Sequence, residues 1–146
     1  MKQFALAALL AMSFALVGCG SNSSNPATID GTWNATLLDI NNTTVFTFGT
    51  SLVVNGDGSL TISNFRFNSN SPCFVSGETA SGSFTLMGNF NGQVKGRFGF
   101  TVQSGSPSGN TLTLSGTANG NTVSGTWTLN GGSGCSGSGS FTMMRG

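Results

Sequence analysis

The sequence predicts an all-β domain, in which an antiparallel meander of about eight strands closes into a small barrel with one disulfide. Apolar and polar residues alternate with a period of two through the body of the 146-residue chain, which is the pattern of half-buried strands. Turn signals rich in Asn and Gly separate these runs. No stretch after Pro26 is long enough for a crossover helix, so successive strands pair antiparallel. The alternative architecture is a two-sheet β-sandwich.

The alternation assigns each strand in turn. The predicted strands are 31–39, 44–54, 59–67, 72–77, 81–88, 92–103, 110–118 and 121–130, with 138–144 as a candidate ninth. Thr, Phe and Val are frequent in these runs, as in strands generally. Gly49 is a point at which the second run can be broken. If the barrel closes, the last run pairs with the first, and closure removes the exposed sheet edges.

An export signal precedes the predicted domain. Lys2 is followed by an uncharged apolar run from Phe4 to Val17, which at about 14 residues is short for a membrane span. Leu16–Val17–Gly18–Cys19 resembles the lipobox of bacterial lipoproteins. The resemblance implies cleavage before Cys19, a diacylglyceryl group on its thiol and acylation of the new amine. The alternative is an ordinary cleaved signal in which Cys19 is incidental.

The residues after Cys19 suggest where the protein is anchored. Gly20 rather than Asp follows the cysteine, which by the sorting rule of Gram-negative lipoproteins implies the outer membrane, on either of its sides. Residues 20–27 are polar and predict a flexible tether, which reaches about 28 Å when fully stretched. The predicted organisation is a signal peptide at 1–18, lipidated Cys19 with its tether at 19–28, and a barrel at 29–146. The lipid bilayer is the partner of the acylated Cys19, since two or more acyl chains anchor a protein stably.

Two cysteines remain in the body, Cys73 and Cys135. In an oxidising compartment they have a single possible pairing, and we predict that disulfide. It closes a loop of about 60 residues, which the chain-entropy model values at roughly 4 kcal/mol. Free thiols and a metal pair are the alternatives, and the lack of His and of a third body cysteine disfavours a metal pair.

The charged residues exclude several classes of function. The chain has 5 Lys and Arg, 4 Asp and Glu, and no His. Lack of His excludes a Ser-His-Asp triad, and the neutral balance provides no basic footprint for nucleic acid. The body carboxylates are Asp30, Asp39, Asp57 and Glu78, and two of them form a glycosidase pair only if folding brings them within about 10 Å. We predict a non-enzymatic protein without metal or cofactor.

The start of the first predicted strand resembles a known family of barrels. Gly31–Thr32–Trp33 is similar to the opening of lipocalins and avidins. The similarity implies that Trp33 plugs the barrel floor and that Arg145 packs over it. Gly125–Thr126–Trp127 repeats the tripeptide, which predicts an equivalent position at the floor. The chain has no Tyr, so it lacks the lipocalin Thr-Asp-Tyr motif, and avidin-like biotin binding is not implied.

Aromatic residues dominate the predicted inward face. They either pack the interior or, where Gly96, Gly116 and Gly125 make room, line a small apolar cavity open at one end. The candidate cavity residues are Trp33, Phe46, Phe98, Phe100 and Trp127. Four further aromatics rim its mouth or cover the barrel from a loop, namely Phe65, Phe67, Phe74 and Phe90.

The predicted function follows from the anchor and this interior. We expect a membrane-anchored, non-enzymatic lipoprotein that binds a small apolar ligand or an envelope partner. The alternative is a purely structural envelope module without a ligand. The sequence leaves the oligomeric state, the ligand and the side of the outer membrane open.

Overall fold

The computed structural model describes residues 29–68, 73–74, 84–91, 96–104, 109–132 and 134–146. The predicted signal peptide 1–18, Cys19 and the tether 19–28 therefore lie outside the described residues. The described chain forms eight strands: β1 (Gly31–Asp39), β2 (Thr44–Val54), β3 (Leu60–Phe67), β4 (Phe84–Asn91), β5 (Arg97–Ser104), β6 (Thr111–Asn119), β7 (Thr122–Asn130) and β8 (Gly137–Arg145). No helix within the described ranges is long and apolar enough to cross a membrane.

The strands form one antiparallel sheet that curls into a nearly closed barrel, which confirms the predicted fold. Their order is β3-β2-β1-β8-β7-β6-β5-β4. The first strand pairs with the last, from Trp33 opposite Arg145 to Asp39 opposite Gly139, as the sequence predicts. Because β1 and β8 are joined, the break in the barrel lies between β3 and β4.

We call this junction of β3 and β4 the seam. An isolated bridge joins Ser59 to Asn89 there. Next to the bridge, β3 and β4 are in contact through side chains rather than through a ladder of backbone hydrogen bonds. Leu60 and Ile62 lie against Gly88, since a Cβ at Gly88 would be only 2.9 Å from Leu60 Cδ1 and 3.3 Å from Ile62 Cδ1. Apolar packing therefore closes the part of the seam around these residues.

Several predicted strand bounds change in the structure. β1 and β2 have the predicted bounds, and the candidate ninth strand is β8. The predicted strand 72–77 is wrong where it can be compared, because Cys73 and Phe74 form a bend, and its other residues lie outside the described ranges. Residues 84–88 of the predicted strand 81–88 belong to β4, which continues to Asn91, since Asn91 still pairs with Arg97. Residues 81–83 lie outside the described ranges.

The possible break at Gly49 is not a break in β2. The strand continues through Gly49, and only its register with β3 shifts, between Gly49 and Ser51. Thr50 lies inside the barrel at this shift, 2% exposed. Its hydroxyl donates a hydrogen bond of 3.1 Å to the carbonyl oxygen of Ser63, which satisfies a buried polar group.

The same irregularity decides which residues of β3 face the core. Asn64 adopts a positive φ of 52°, a conformation that Asn tolerates better than most residues. The extra residue changes the alternation, because Leu60 and Ile62 face the core before it, and Phe65 and Phe67 face it afterwards. A β-bulge of this kind therefore brings two additional rings into the interior.

The strand directions place the connections at two ends of the barrel. The Trp33 end carries Asp30, the turn between β2 and β3, the turn between β6 and β7, and the terminal Gly146. The disulfide end carries the turn between β1 and β2, residues 73–74, Asn110 and the connection between β7 and β8.

Candidate functional site

All five candidate cavity residues lie inside the barrel, and none is more than 3% exposed. Their positions span its length. Trp33 lies at the Trp33 end, Phe46 and Trp127 lie toward the disulfide end, and Phe98 and Phe100 lie on β5. The sequence therefore identified inward residues correctly, and their mutual contacts decide whether they line or fill the interior.

These rings contact one another and neighbouring rings. Phe46 and Trp127 meet edge to face with their centroids 5.7 Å apart. Phe100 stacks on Phe48 at 5.5 Å and on Phe98 at 6.1 Å. Such spacings are those of favourable aromatic pairs. The contacts are those of a packed interior, and a ligand cavity lined by the five residues stays a prediction.

The inward glycines do not leave open space beside them. A Cβ at Gly96 would lie 2.6 Å from Phe90 Cε2, and a Cβ at Gly116 would lie 2.9 Å from Phe141 Cζ. At Gly125 an added Cβ would collide with the backbone of β6. Neighbouring rings and strands occupy the room that these glycines provide, which again describes a packed core.

The Trp33 end is closed by Trp33 and Arg145. The indole N–H of Trp33 donates to the carbonyl oxygen of Ile29 at 2.7 Å. The guanidinium carbon of Arg145 lies 4.7 Å from the centroid of the indole, a cation–π contact. Arg145 also donates to the carbonyl oxygen of Asp30 and, at 3.2 Å, to the side chain of Asn121. The structure thus contains the contact between Arg145 and Trp33 that the lipocalin resemblance implies.

Trp127 does not share this floor, so the prediction of an equivalent position is wrong. Along β8, Trp33 is opposite Arg145 and Trp127 is opposite Gly139. These partners are six positions apart, about 20 Å along the strand. The indole N–H of Trp127 donates to Leu38 O at 2.8 Å, near the other end of β1. The reason is register, since the repeated tripeptide opens β1 but lies in the middle of β7.

The four additional aromatics have two different positions. Phe65, Phe67 and Phe90 are core residues of β3 and β4, no more than 3% exposed. Phe90 also contributes to the wall of a hollow beside the seam. Phe74 covers the disulfide end from outside the strands, as one of the predicted alternatives requires. Its ring stacks on Phe67 at 4.6 Å and meets Phe46 edge-on at 5.8 Å.

A disulfide between Cys73 and Cys135 holds Phe74 in place, which confirms the predicted pairing. The two Cα atoms are 5.5 Å apart, and the bond joins residues separated by 62 positions. The buried side chain of Asn110 provides a further link, because its Nδ2 donates a hydrogen bond of 3.0 Å to the carbonyl oxygen of Cys73. Residues 73–74 are therefore fixed to two other connections at this end of the barrel.

A large hollow adjoins the seam at the Trp33 end. It has a volume of about 710 Å³ and is lined by Val54–Ser59 and Asn89–Asn91. Asp57 accepts hydrogen bonds from the hydroxyl and the backbone N–H of Ser59 at 2.6 and 2.9 Å, and these bonds lower the pKa of the Asp57 carboxyl. Asn55 also donates to the Ser59 hydroxyl at 2.9 Å. The polar groups of this turn thus largely satisfy one another.

A second hollow, of about 400 Å³, lies on the outer face of β4, β5 and β6. We call it the Gly99 hollow, because Gly99 occupies its centre. Asn89 and Ser115 are the register partners of Gly99 on the two neighbouring strands, and Thr101 pairs in the same way with Met87 and Thr113. The side chains around Gly99 are Met87, Asn89, Arg97, Thr101, Thr113 and Ser115.

The described charged side chains are of two kinds: some hydrogen-bond to the backbone, and others are exposed on the outer face. Asp30 accepts from the backbone N–H of Val54 at 2.7 Å, and Asp39 accepts from the N–H groups of Asn41 and Thr43 at 2.8 Å each. Arg97 and Arg66, by contrast, are exposed on the outer face. Within the described ranges, no three His, Cys, Asp or Glu side chains are grouped to hold a metal ion.

No protein-family model, no curated protein and no solved structure matches this chain. The lipobox and the lipocalin-like opening therefore stay predictions from short motifs.

Proposed function

We propose that this protein is a lipoprotein anchored in the bacterial outer membrane by acylated Cys19, and that its barrel is a non-enzymatic binding domain for an envelope partner. The motif Leu16–Val17–Gly18–Cys19 and the following Gly20 support the anchor. The fold supports the predicted domain start, because Ile29, which follows the tether 19–28 directly, is already fully buried.

The packed interior is the observation that carries the binding proposal. Rings contact rings along the barrel, and the inward glycines are covered by their neighbours. A partner that binds without unpacking this core has to use the outer surface. That surface provides hydroxyl and amide side chains, with hollows at the seam and at Gly99, and polar groups of this kind give specificity to a binding site.

The anchor is tested by two substitutions in the full chain. Cys19→Ser removes the acceptor thiol, so we expect no incorporation of labelled palmitate and no cleavage before position 19, which leaves a chain of higher mass. Gly20→Asp keeps the thiol, so we expect labelling to persist while the protein moves to the inner membrane. Palmitate labelling that persists in Cys19→Ser would contradict the lipid anchor.

Binding through the outer face is tested by photo-crosslinking in intact cells. A photoreactive residue replaces Thr113, beside the Gly99 hollow, or Thr36, on the outer face of β1 as a control for general surface contact. We expect one adduct of defined mass from position 113 and none from position 36. If a scan of all outward positions in the described strands produces no adduct, the partner proposal is wrong and the purely structural alternative is favoured.

A small apolar ligand is the second candidate, favoured by the buried aromatic set and by Phe74 covering the disulfide end. Such a ligand has to displace rings that now contact one another. Native mass spectrometry of the full chain in lipid nanodiscs, prepared from its own envelope, tests this function. A co-purified apolar molecule of fixed mass that disappears in Phe100→Ala would support it, and a ligand-free spectrum would count against it.

A further inference from the structure

The Gly99 hollow lies around a position of the outer face that has no side chain. Gly99 lies on β5 between β4 and β6, and it contributes no side chain between its register partners Asn89 and Ser115. The side chain of Asn89 lies against this position, because a Cβ at Gly99 would be 2.9 Å from Asn89 Oδ1 and 3.3 Å from Asn89 Cγ. The space that remains beside it is the hollow of about 400 Å³, which has room for one sugar unit.

The wall of the hollow combines one positive charge with neutral hydrogen-bonding groups. Thr101, Thr113 and Ser115 each have a hydroxyl that donates and accepts, and the amide of Asn89 does both. Arg97 adds a guanidinium, whose paired N–H groups fit a carboxylate or a phosphate. Hydroxyls are complementary to a saccharide, and the guanidinium is complementary to an anion.

The charge of Arg97 is available to a ligand. Arg97 is exposed, and none of the described carboxylates forms an ion pair with it. Asp30 and Asp39 accept hydrogen bonds from backbone N–H groups elsewhere, and Asp57 is bonded within its own turn. Among the residues that the structure describes, Arg97 is the one cation that lines this hollow.

We infer that the Gly99 hollow binds an anionic saccharide, that is, a sugar unit carrying a phosphate or a carboxylate. This inference rests on the proposed function, because it names the chemistry that the outer face recognises. The sugar hydroxyls contact Thr101, Thr113 and Ser115, and the anionic group contacts Arg97. Met87, which is 54% exposed at the rim, covers the apolar face of the ring.

A simpler explanation for Gly99 is that it only accommodates Asn89, since a Cβ there would lie 2.9 Å from Asn89 Oδ1. The two explanations predict different behaviour. If Gly99 serves only the packing of Asn89, saccharides do not bind and substitution of Arg97 changes nothing. If the hollow is a binding site, the Asn89 amide is one of its hydrogen-bonding groups and Arg97 selects charged sugars.

The test uses the full lipidated chain in phosphatidylcholine nanodiscs, titrated with glucose 6-phosphate, glucuronate and glucose and followed by saturation-transfer NMR on the sugar. We expect at least one of the charged sugars to bind, and glucose to bind at least about tenfold more weakly, as the loss of a charge-assisted hydrogen bond implies. Equal binding of glucose and the charged sugars, or no binding of any of them, would overturn the inference.

Three variants locate the site. Arg97→Gln should weaken the charged sugar about tenfold, and Gly99→Val should abolish binding by filling the hollow. Arg66→Gln removes the same charge from the outer face of β3, opposite Gly49, and should change nothing. If Arg97→Gln and Arg66→Gln behave alike, the site is not the Gly99 hollow. Because Arg97 is exposed, its variant reports on binding even if Gly99→Val fails to fold.

A further arm separates the two sources of the ligand. Nanodiscs that contain lipopolysaccharide present phosphorylated sugars on the membrane. Loss of glucose 6-phosphate binding in these discs identifies the membrane glycolipid as the ligand, whereas unchanged binding identifies a free saccharide. The proposed function has its own readout, because photo-crosslinks from Thr113 that persist without any sugar binding would reject the saccharide and retain the envelope partner.

Discussion

Removal of the disulfide should be one of the most damaging changes to this barrel. The bond joins Cys73 and Cys135 across 62 positions, and the chain-entropy model assigns a loop of this size about 4 kcal/mol at 25 °C. Small domains are stable by only about 5–15 kcal/mol. The double substitution of both cysteines by Ala should therefore remove a large part of the free energy of unfolding.

The loss in the free energy of unfolding should exceed the loop-closure contribution if removal of the disulfide also releases Phe74 from the core. Phe74 is 1% exposed and contacts Phe46 and Phe67, and Phe→Ala in a core costs about 3–5 kcal/mol. Because the disulfide helps to hold residue 73 in place, next to Phe74, the two effects share a cause. A double-mutant cycle should show that Phe74→Ala costs at least about 0.5 kcal/mol less without the disulfide than with it.

Urea unfolding followed by Trp fluorescence measures both quantities. A suitable background is a chain in which residues 1–19 are replaced by a signal peptide that is removed without lipidation, because it avoids detergent and keeps the body cysteines. For a slope of about 2 kcal/mol/M, the loss of 4 kcal/mol moves the midpoint down by about 2 M, and reduction of the unmodified domain should do the same. A shift below about 0.5 M, or full additivity with Phe74→Ala, would refute the reasoning.

Three other predictions test particular contacts. Arg145→Gln should lower the free energy of unfolding by about 1–2 kcal/mol in urea, because it removes the cation above Trp33; an unchanged midpoint would contradict this. Ser59→Ala should raise the pKa of Asp57 toward its ordinary value in a carboxyl NMR titration. Since the folded pKa of Asp57 is lowered, its stabilising contribution is present above the unfolded pKa and lost as pH falls through the folded pKa. Gly125→Ala should lower the melting temperature by several degrees through its collision with β6.

Local patterns in the sequence predicted most of the strand architecture. The alternation of apolar and polar residues predicted the bounds of β1 and β2. The prediction that the last strand pairs with the first in a closed barrel is confirmed by the pairing of β8 with β1. Each of these inferences depends on residues that are neighbours in the chain, because side chains alternate between the two faces of a strand. The motif around Trp33 also predicted the position of Arg145, through its resemblance to a known barrel opening.

The candidate site depended on which side chains lie side by side on neighbouring strands, and the sequence did not reveal this. The alternation around Phe98 and Phe100 places Gly99 on the outer face, but only the register shows that Asn89 and Ser115 lie beside it. Trp127 lies far from the floor because its tripeptide falls in the middle of β7. The bulge at Asn64 places Phe65 and Phe67 in the core.

The sequence by itself determined the all-β class, the meander and the single possible pairing of Cys73 with Cys135. The alternation of polarity and the number of cysteines can be read directly from the sequence, so neither depends on knowledge of the fold. Only the tertiary structure decided that the barrel breaks between β3 and β4, and that the aromatic rings contact one another inside it. Which side chains meet across a sheet depends on strand register, and register is selected by the whole core rather than by any one segment.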